Sequence, residues 1–327
     1  MSELDVAITL QKDGYMVENS GTYYKVGKRE GRILERVVNR EDTKHILNEE
    51  KITEEQLNQL LESFKSMGVI GEQQKKKNHI LFYRIPLLEA DGMFGGIVDI
   101  LKKHKVVDKV LLLLSIVVIL VGSIFMTIHL GDIFSLSTLQ LSWTGYVILY
   151  LSFLITICLH EFAHGIACKY VGGKVGTLGF MLIFFSPAMY CDISGIRMVD
   201  DKRKQIIASS AGIYVNVFFM AVASIIFAVW PLPIFAAFII MSFTTIISNL
   251  IPVIRLDGYW ILSFATGITN LYKKSLKGVG KLFGNYSLQE RFIAVYGIIT
   301  YIFMAVALGS VCVSVIGVVQ YVVEIFI

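Results

Sequence analysis

The chain has 327 residues, of which 55% are hydrophobic and 17% charged, with a formal net charge of +4. Its mean hydropathy of +0.64 excludes an ordinary soluble domain and leaves a polytopic membrane protein. Residues 1–105 hold 17 of the 30 Lys and Arg and 17 of the 26 Asp and Glu, so a polar domain precedes an apolar one.

Residues 1–30 are polar and lack an apolar run, so no cleavable signal peptide is expected there. Residues 15–26 read as two short strands around an Asn19-Ser20-Gly21 turn, because aromatic and β-branched residues flank a turn-forming triplet. Ile33, Leu34, Val37 and Val38 then make one face of a helix. The apolar residues from Ile46 to Met67 keep helical spacing up to Gly68, with Thr53 and Gln56 placed as a capping box. A hairpin with three small helices predicts an α+β, winged-helix-like module over 1–72. Residues 73–108 carry Lys75-Lys76-Lys77 and Lys102-Lys103-His104-Lys105, which fit a basic linker and a juxtamembrane segment at an anionic lipid surface.

The remainder, 109–327, is predicted to be an all-α polytopic membrane domain. Stretches at about 109–130, 143–170, 206–230 and 232–254 each reach the ~20 residues that a hydrocarbon core of about 30 Å demands. The run 292–327 is long for one span and short for two, so five spans are expected, with six as the alternative. Residues 176–196 are apolar but broken by Gly176, Gly179, Pro187 and Gly195, which predicts a re-entrant loop or hairpin packed against protein. The four cysteines, Cys158, Cys168, Cys191 and Cys312, form no CxxC pair and read as small buried hydrophobes. With a cytoplasmic N-terminus, all 12 Lys and Arg from Lys169 to Arg291 face the cytoplasm and the outer loops 131–142 and 231–233 hold none.

Within the second span, residues 160–164 read His-Glu-Phe-Ala-His. Two imidazoles four residues apart leave one helix face about 40° apart, close enough to share a metal ion, and Glu161 between them can reach a water held there. For a chain of this composition such a string arises by accident at roughly 0.005 per sequence. Three ionisable side chains at membrane depth are costly, which favours metal chemistry over a pair of hydrogen-bonded core histidines. A catalytic zinc takes three protein ligands and leaves a position open. Asp257, in the string Asn249 to Gly258 just after the fourth span, is the first candidate for the third; Asp192, after Tyr190 and Cys191, is the second, as ligand or as a partner of a histidine. Asp257 has an alternative as a helix-end carboxylate beside Arg255. Asn216, in the third span, is placed to hold a substrate carbonyl or to bridge helices, and Tyr190 lines the broken segment.

Over about residues 145–265 these features resemble the site-2 proteases, membrane-embedded zinc endopeptidases. The resemblance rests on His160 to His164, on Asn-x-x-Pro-x-x-x-Leu-Asp-Gly from Asn249 to Gly258, and on Ala211-Gly212-Ile213-Tyr214-Val215-Asn216. It implies Zn²⁺ held by His160, His164 and Asp257, Glu161 as the proton acceptor, and Asn216 on the substrate backbone. Ile213 stands where that family often has proline, a departure from its pattern. Tyr190 and Asp192 are carried as further substrate-contacting candidates, since an extended peptide can add to a strand edge.

Residues 1–72 hold 10 Lys and Arg against 14 Asp and Glu, the wrong sign for a phosphate-binding surface, so no nucleic-acid partner is expected. The pattern from Tyr23 to Ile70 is similar to the peptide-binding domains called RiPP recognition elements, or coenzyme-PQQ-synthesis D-like domains. A membrane metallopeptidase with such a module resembles the peptide zinc metalloproteases associated with modified-peptide biosynthesis. That resemblance implies a ribosomally made, modified precursor peptide as substrate, trimmed at the cytoplasmic side, with an exporter and a peptide-modifying enzyme as partners. Regulated proteolysis of a membrane-anchored signalling protein is the alternative within the class. A non-catalytic metal-binding receptor or transporter component is the alternative outside it.

Overall fold

The structure is a computed structural model and describes residues 6–20, 22–71, 82–137, 139–183, 186–282 and 286–326. The chain divides into two compact units, Met1–Ile247 and Ser248–Ile327.

The first unit opens with strands β1 (Ala7–Gln11), β2 (Gly14–Asn19) and β3 (Thr22–Val26), an antiparallel sheet in that order. The expected hairpin is β2–β3, and β1 extends it by one strand. Helices α1 (Lys28–Val38), α2 (Thr43–Glu50) and α3 (Glu54–Ser66) follow. Thr53 and Gln56 form the anticipated capping box, the Thr53 hydroxyl accepting from Gln56 N–H at 3.2 Å while Gln56 Oε1 accepts from Thr53 N–H at 3.0 Å. Apolar residues close the module: Tyr15, Val17 and Val26 from the sheet pack with Leu34 and Phe64 in one cluster, and Ile33, Ile46 and Leu57 form another. Buried Asn19 is satisfied by donating to the carbonyls of Gly68 and Gly71 at 3.1 and 3.0 Å, which ties the hairpin turn to the exit of α3.

The stretch read as a linker contains regular structure. Strand β4 (Phe82–Glu89) is followed by helix α4 (Asp91–Lys103). Asp91 at the start of α4 bonds the Lys169 ammonium at 2.6 Å and the Val175 amide at 2.9 Å. Phe94, fully buried, meets Phe162 edge-on at 5.6 Å. Then come α5 (Lys105–Ile128), the short α6 (Leu130–Ser137) and α7 (Trp143–Tyr170).

Residues expected as a re-entrant loop or hairpin form two strands, β5 (Thr177–Ile183) and β6 (Ser186–Cys191). With β4 they make a second antiparallel sheet, ordered β4-β5-β6. The part of the chain beyond the N-terminal module is therefore not all-helical, a correction to the composition-based expectation. Backbone groups that apolar Gly-rich sequence cannot satisfy in a helix are satisfied here by strand pairing across the chain. Pro86, which lacks an N–H, is tolerated because β4 is an edge strand, and the register shifts between Pro86 and Leu88. A 3₁₀ turn at Ser194–Met198 continues from β6 and meets the N-terminal module. Gln11 donates to the Arg197 carbonyl at 2.7 Å, the Lys12 amide donates to Asp200 at 3.0 Å, and the Arg197 guanidinium lies 5.4 Å from the Tyr23 ring centre.

Helix α8 (Lys202–Val229) begins at Asp201, whose carboxylate accepts from the Arg203 N–H at 2.9 Å. Helix α9 (Pro233–Leu250) carries the chain to the boundary of the two units. The second unit contains α10 (Asp257–Thr266), α11 (Leu271–Gly278) and α12 (Leu288–Phe326). Tyr259, Ile268, Leu271 and Tyr296 form its core, and the Tyr296 hydroxyl donates to the Pro252 carbonyl at 2.6 Å.

Five helices are long and apolar enough to cross a bilayer: α5, α7, α8, α9 and the Leu288–Val306 part of α12. The protein is thus a multi-pass membrane protein, and the expected five spans are present among the described residues. The last apolar run is one continuous helix from Leu288 to Phe326.

Candidate metal centre

Helix α7 places His160, Glu161 and His164 within about one turn, as the helical period dictates. Both histidines are buried, at 7% and 4% exposure, and their rings meet edge-on with centres 4.8 Å apart. The two Nε2 atoms lie 3.2 Å from each other. Two nitrogens bound to one tetrahedral zinc at the usual 2.0–2.1 Å are about 3.3 Å apart, so the pair already has the spacing of a shared ligand edge.

The orientation of His164 comes from α8. Its Nδ1 is 2.8 Å from the Ala208 carbonyl, a group that only accepts, so Nδ1 carries the proton and donates. In the neutral ring Nε2 is then left with its lone pair. One turn further along α8, Gly212 faces the same pair. A Cβ on Gly212 would sit 2.4 Å from His160 Nε2 and 2.5 Å from His164 Nε2, so any side chain there would occupy the space in front of both donor atoms. The absent side chain leaves a cradle bounded by two imidazole nitrogens, and the donor set and its spacing fit zinc. Asn216, another turn along the same helix, is buried at 3% exposure.

Glu161 is only partly buried, and its Oε2 accepts from the Cys191 N–H at 2.8 Å. The last residue of β6 thereby fixes the carboxylate. The Cys191 thiol is pushed up by burial and, secondarily, by the Glu161 charge, so it stays protonated and is a poor thiolate ligand.

The other candidates lie as follows. Tyr190 is buried, with its hydroxyl 3.4 Å from the Thr177 hydroxyl across the β5–β6 pair. The Asp192 carboxylate accepts from the Ser194 N–H at 3.0 Å, just before the 3₁₀ turn. In the second unit, Asp257 is the first residue of α10, and Gly258 follows it where a Cβ would come 2.4 Å from the Leu250 carbonyl oxygen. That close approach of backbone to backbone explains the glycine after the acid. Ala208 and the strand amide of Cys191 were invisible to sequence reasoning, since both act through backbone groups that every residue carries. Gly212 was noticed only through a family likeness; its i, i+4, i+8 relation with Ala208 and Asn216 was the available signal.

No family profile matches the chain, and no solved structure matches it. A Bacillus subtilis (strain 168) protein named "Putative peptide zinc metalloprotease protein YydH" is 30% identical over 127 residues, 38% of this chain. The chain spans about half the length of that curated relative.

Proposed function

We propose that the chain is a membrane-embedded zinc endopeptidase of site-2-protease type that trims a ribosomally made, modified precursor peptide near the cytoplasmic membrane face. The observation that carries this reading is the His160–His164 pair, with Nε2 atoms 3.2 Å apart in front of Gly212 and the Glu161 carboxylate one residue along the helix. The likeness to a protein named for peptide zinc metalloprotease activity supports the same chemistry.

In this reading His160 and His164 hold the metal through Nε2 and Asp257 supplies the third ligand. A carboxylate in the first turn of a helix that directly follows a span supports its choice. When bound, zinc supplies a Lewis acid for the scissile carbonyl and acidifies water towards neutral pH. Glu161 takes the proton from the attacking water and returns it to the leaving amine. Its bond from the Cys191 amide holds the carboxylate in place before substrate arrives. Asn216 donates its side-chain amide to a substrate carbonyl. The outer edge of β6 accepts the substrate as an added strand, with Tyr190 and Asp192 beside it, because hydrolysis needs an extended peptide and an edge strand holds one.

The N-terminal module serves as the peptide-recognition domain. It is bonded to the turn that continues from β6, through Gln11, Lys12 and Tyr23, and this proximity to the strand assigned to substrate supports the reading. The N-terminus is cytoplasmic on the charge pattern of the loops, and an exporter and a peptide-modifying enzyme are the partners such a substrate requires.

The test uses purified full-length protein and candidate precursor peptides. Cleavage should vanish with a chelator and return with zinc, and Glu161→Gln should keep its zinc yet lose turnover. Cleavage that survives Glu161→Gln would refute the assignment.

A further inference from the structure

The second unit contains a cleft of about 480 Å³ that the proposed chemistry does not use, lined by Asn270, Lys273, Lys274, Lys277, Gly278, Glu290 and Ile293. Its volume lies within the ~300–1,000 Å³ of small-molecule sites. Three ammonium groups come from α11, where residues 273, 274 and 277 are all exposed. They sit on one side of a helix anchored by buried Leu271 and Ser275. The one carboxylate lining it, Glu290, has Oε2 turned to the start of α12, accepting from the Ser287 N–H and hydroxyl at 3.2 and 3.0 Å. Among the described residues no ion pair engages Lys273, Lys274 or Lys277. Among the described residues the cleft lining thus holds three ammonium groups against one carboxylate, an excess of positive charge.

Its position relative to the apolar part of α12 bears on what could occupy it. The membrane-competent stretch of α12 begins at Leu288, and the cleft uses its third and sixth residues, Glu290 and Ile293. At 1.5 Å per residue those side chains lie within about 9 Å of the start of the span. Gln289, Glu290 and Arg291 are polar and the apolar run starts at Phe292, so Glu290 and Ile293 straddle the point where α12 turns apolar, which is where a headgroup would meet acyl chains. Phe292, Val295 and Ile299 on the same helix are exposed large hydrophobics, the surface that acyl chains cover.

We propose that this cleft binds the phosphate headgroup of an anionic phospholipid, with Lys273, Lys274 and Lys277 as the charge partners and Ile293 against the start of the lipid's apolar part. Near an anionic surface each lysine strengthens binding about fivefold, so removing three should cost at least tenfold and up to about a hundredfold.

The experiment measures lipid retained by detergent-purified full-length protein in native mass spectrometry, with phosphatidylglycerol and phosphatidylcholine as probes. The wild type should prefer phosphatidylglycerol by at least about tenfold. The triple variant Lys273→Gln, Lys274→Gln, Lys277→Gln should lose that preference. The charge-conserving variant with Arg at the same three positions should keep it, as should a control with Gln at Lys202, Arg203 and Lys204. Zinc content should be the same in all of them, which separates this site from the metal centre and reports that the variants fold. Excess inorganic phosphate should leave the lipid bound. The proposal is overturned if the Gln variant keeps the preference, if the Arg variant loses it, if wild type shows none, or if phosphate displaces the lipid, which would make the cleft a soluble-anion site.

Discussion

Two spanning helices of the first unit, α5 and α8, are both apolar, yet they are used in opposite ways. The most apolar stretch of α5 has a mean hydropathy of 2.9 and only 6% of it is buried; that of α8 has 2.2 and 44% is buried. The less hydrophobic helix is the more central one. In lipid, apolar surface gains nothing by leaving the surroundings, so helices approach through small residues and polar contacts. Helix α8 has both: Ala208, Ser209, Gly212, Asn216, Ala221, Ala223 and Ser224 are all buried. The single buried residue of α5 is Gly122, where a Cβ would fall 2.4 Å from the Ala221 carbonyl oxygen of α8. Hydropathy therefore marks which segments enter the membrane, while the small and polar residues mark which face builds the site.

The sharpest way to break this comparison is to alter the polar face of α8. Asn216→Ala should lower kcat by about 10²–10³-fold if the amide supports a developing oxyanion, with zinc content and fold unchanged. An unaltered kcat would return Asn216 to a purely structural role. Gly212→Ala comes next. The added methyl cannot avoid both Nε2 atoms, so zinc affinity should fall by about 10–100-fold, as for other changes beside metal ligands, while thermal stability of the metal-free protein changes little. A zinc titration with competing chelator reads this directly, and an unchanged affinity would mean that the metal does not occupy the cradle.

How much of this was written in the sequence depends on how local each interaction is. The spacing of His160 and His164 was legible because a helix alone puts residues four apart on one face. So was the capping box at Thr53, which closes within four residues. Strand β4 was not legible: it pairs with β5, whose partners lie about ninety residues further on, and it contains Pro86. The same distance hid the Ala208 carbonyl, a backbone group with no residue signature, which reaches His164 across 44 residues. The 176–196 segment was read as a re-entrant loop or hairpin because Gly and Pro interrupt it; it is the hairpin β5–β6, and Gly179 faces the backbone of Ile85 and Pro86, a third strand that the reading did not include. The physical limit is that periodicity encodes one element at a time, whereas the candidate metal cradle is made by where two elements cross.

The counterpart on α5 sharpens the contrast with a smaller effect. Gly122→Ala pushes a methyl against the α8 backbone and should cost about 1–3 kcal/mol of stability, as overpacking does, while zinc affinity per folded molecule stays the same. Thermal unfolding followed together with zinc content distinguishes the two glycines: one variant should change the metal, the other the melting temperature. If Gly122→Ala also weakened zinc binding, the division between a packing helix and a site helix would fail.

The smallest expected effect lies outside the spans, at the start of α4. Burial alone would raise the Asp91 carboxyl, but the Lys169 ammonium at 2.6 Å and the Val175 N–H at 2.9 Å outweigh it and hold the group below its usual range. A carboxylate depressed in the folded state contributes stability that is fully present above the unfolded pKa of about 3.9 and lost as pH falls through the lower folded value. Because both partners are about one-third exposed, solvent screening keeps the contribution to about 1 kcal/mol or less. Helix α4 packs against the motif helix through Phe94 and Phe162, so the latch should be felt there first. Hydrogen exchange of the α4 amides, corrected for intrinsic rates, should show protection that declines below about pH 4 in the wild type and is already lower and flat across that window in Asp91→Asn. Identical protection in the two proteins above pH 4 would mean that aromatic packing alone holds α4, and that the ion pair beside the motif helix contributes nothing to it.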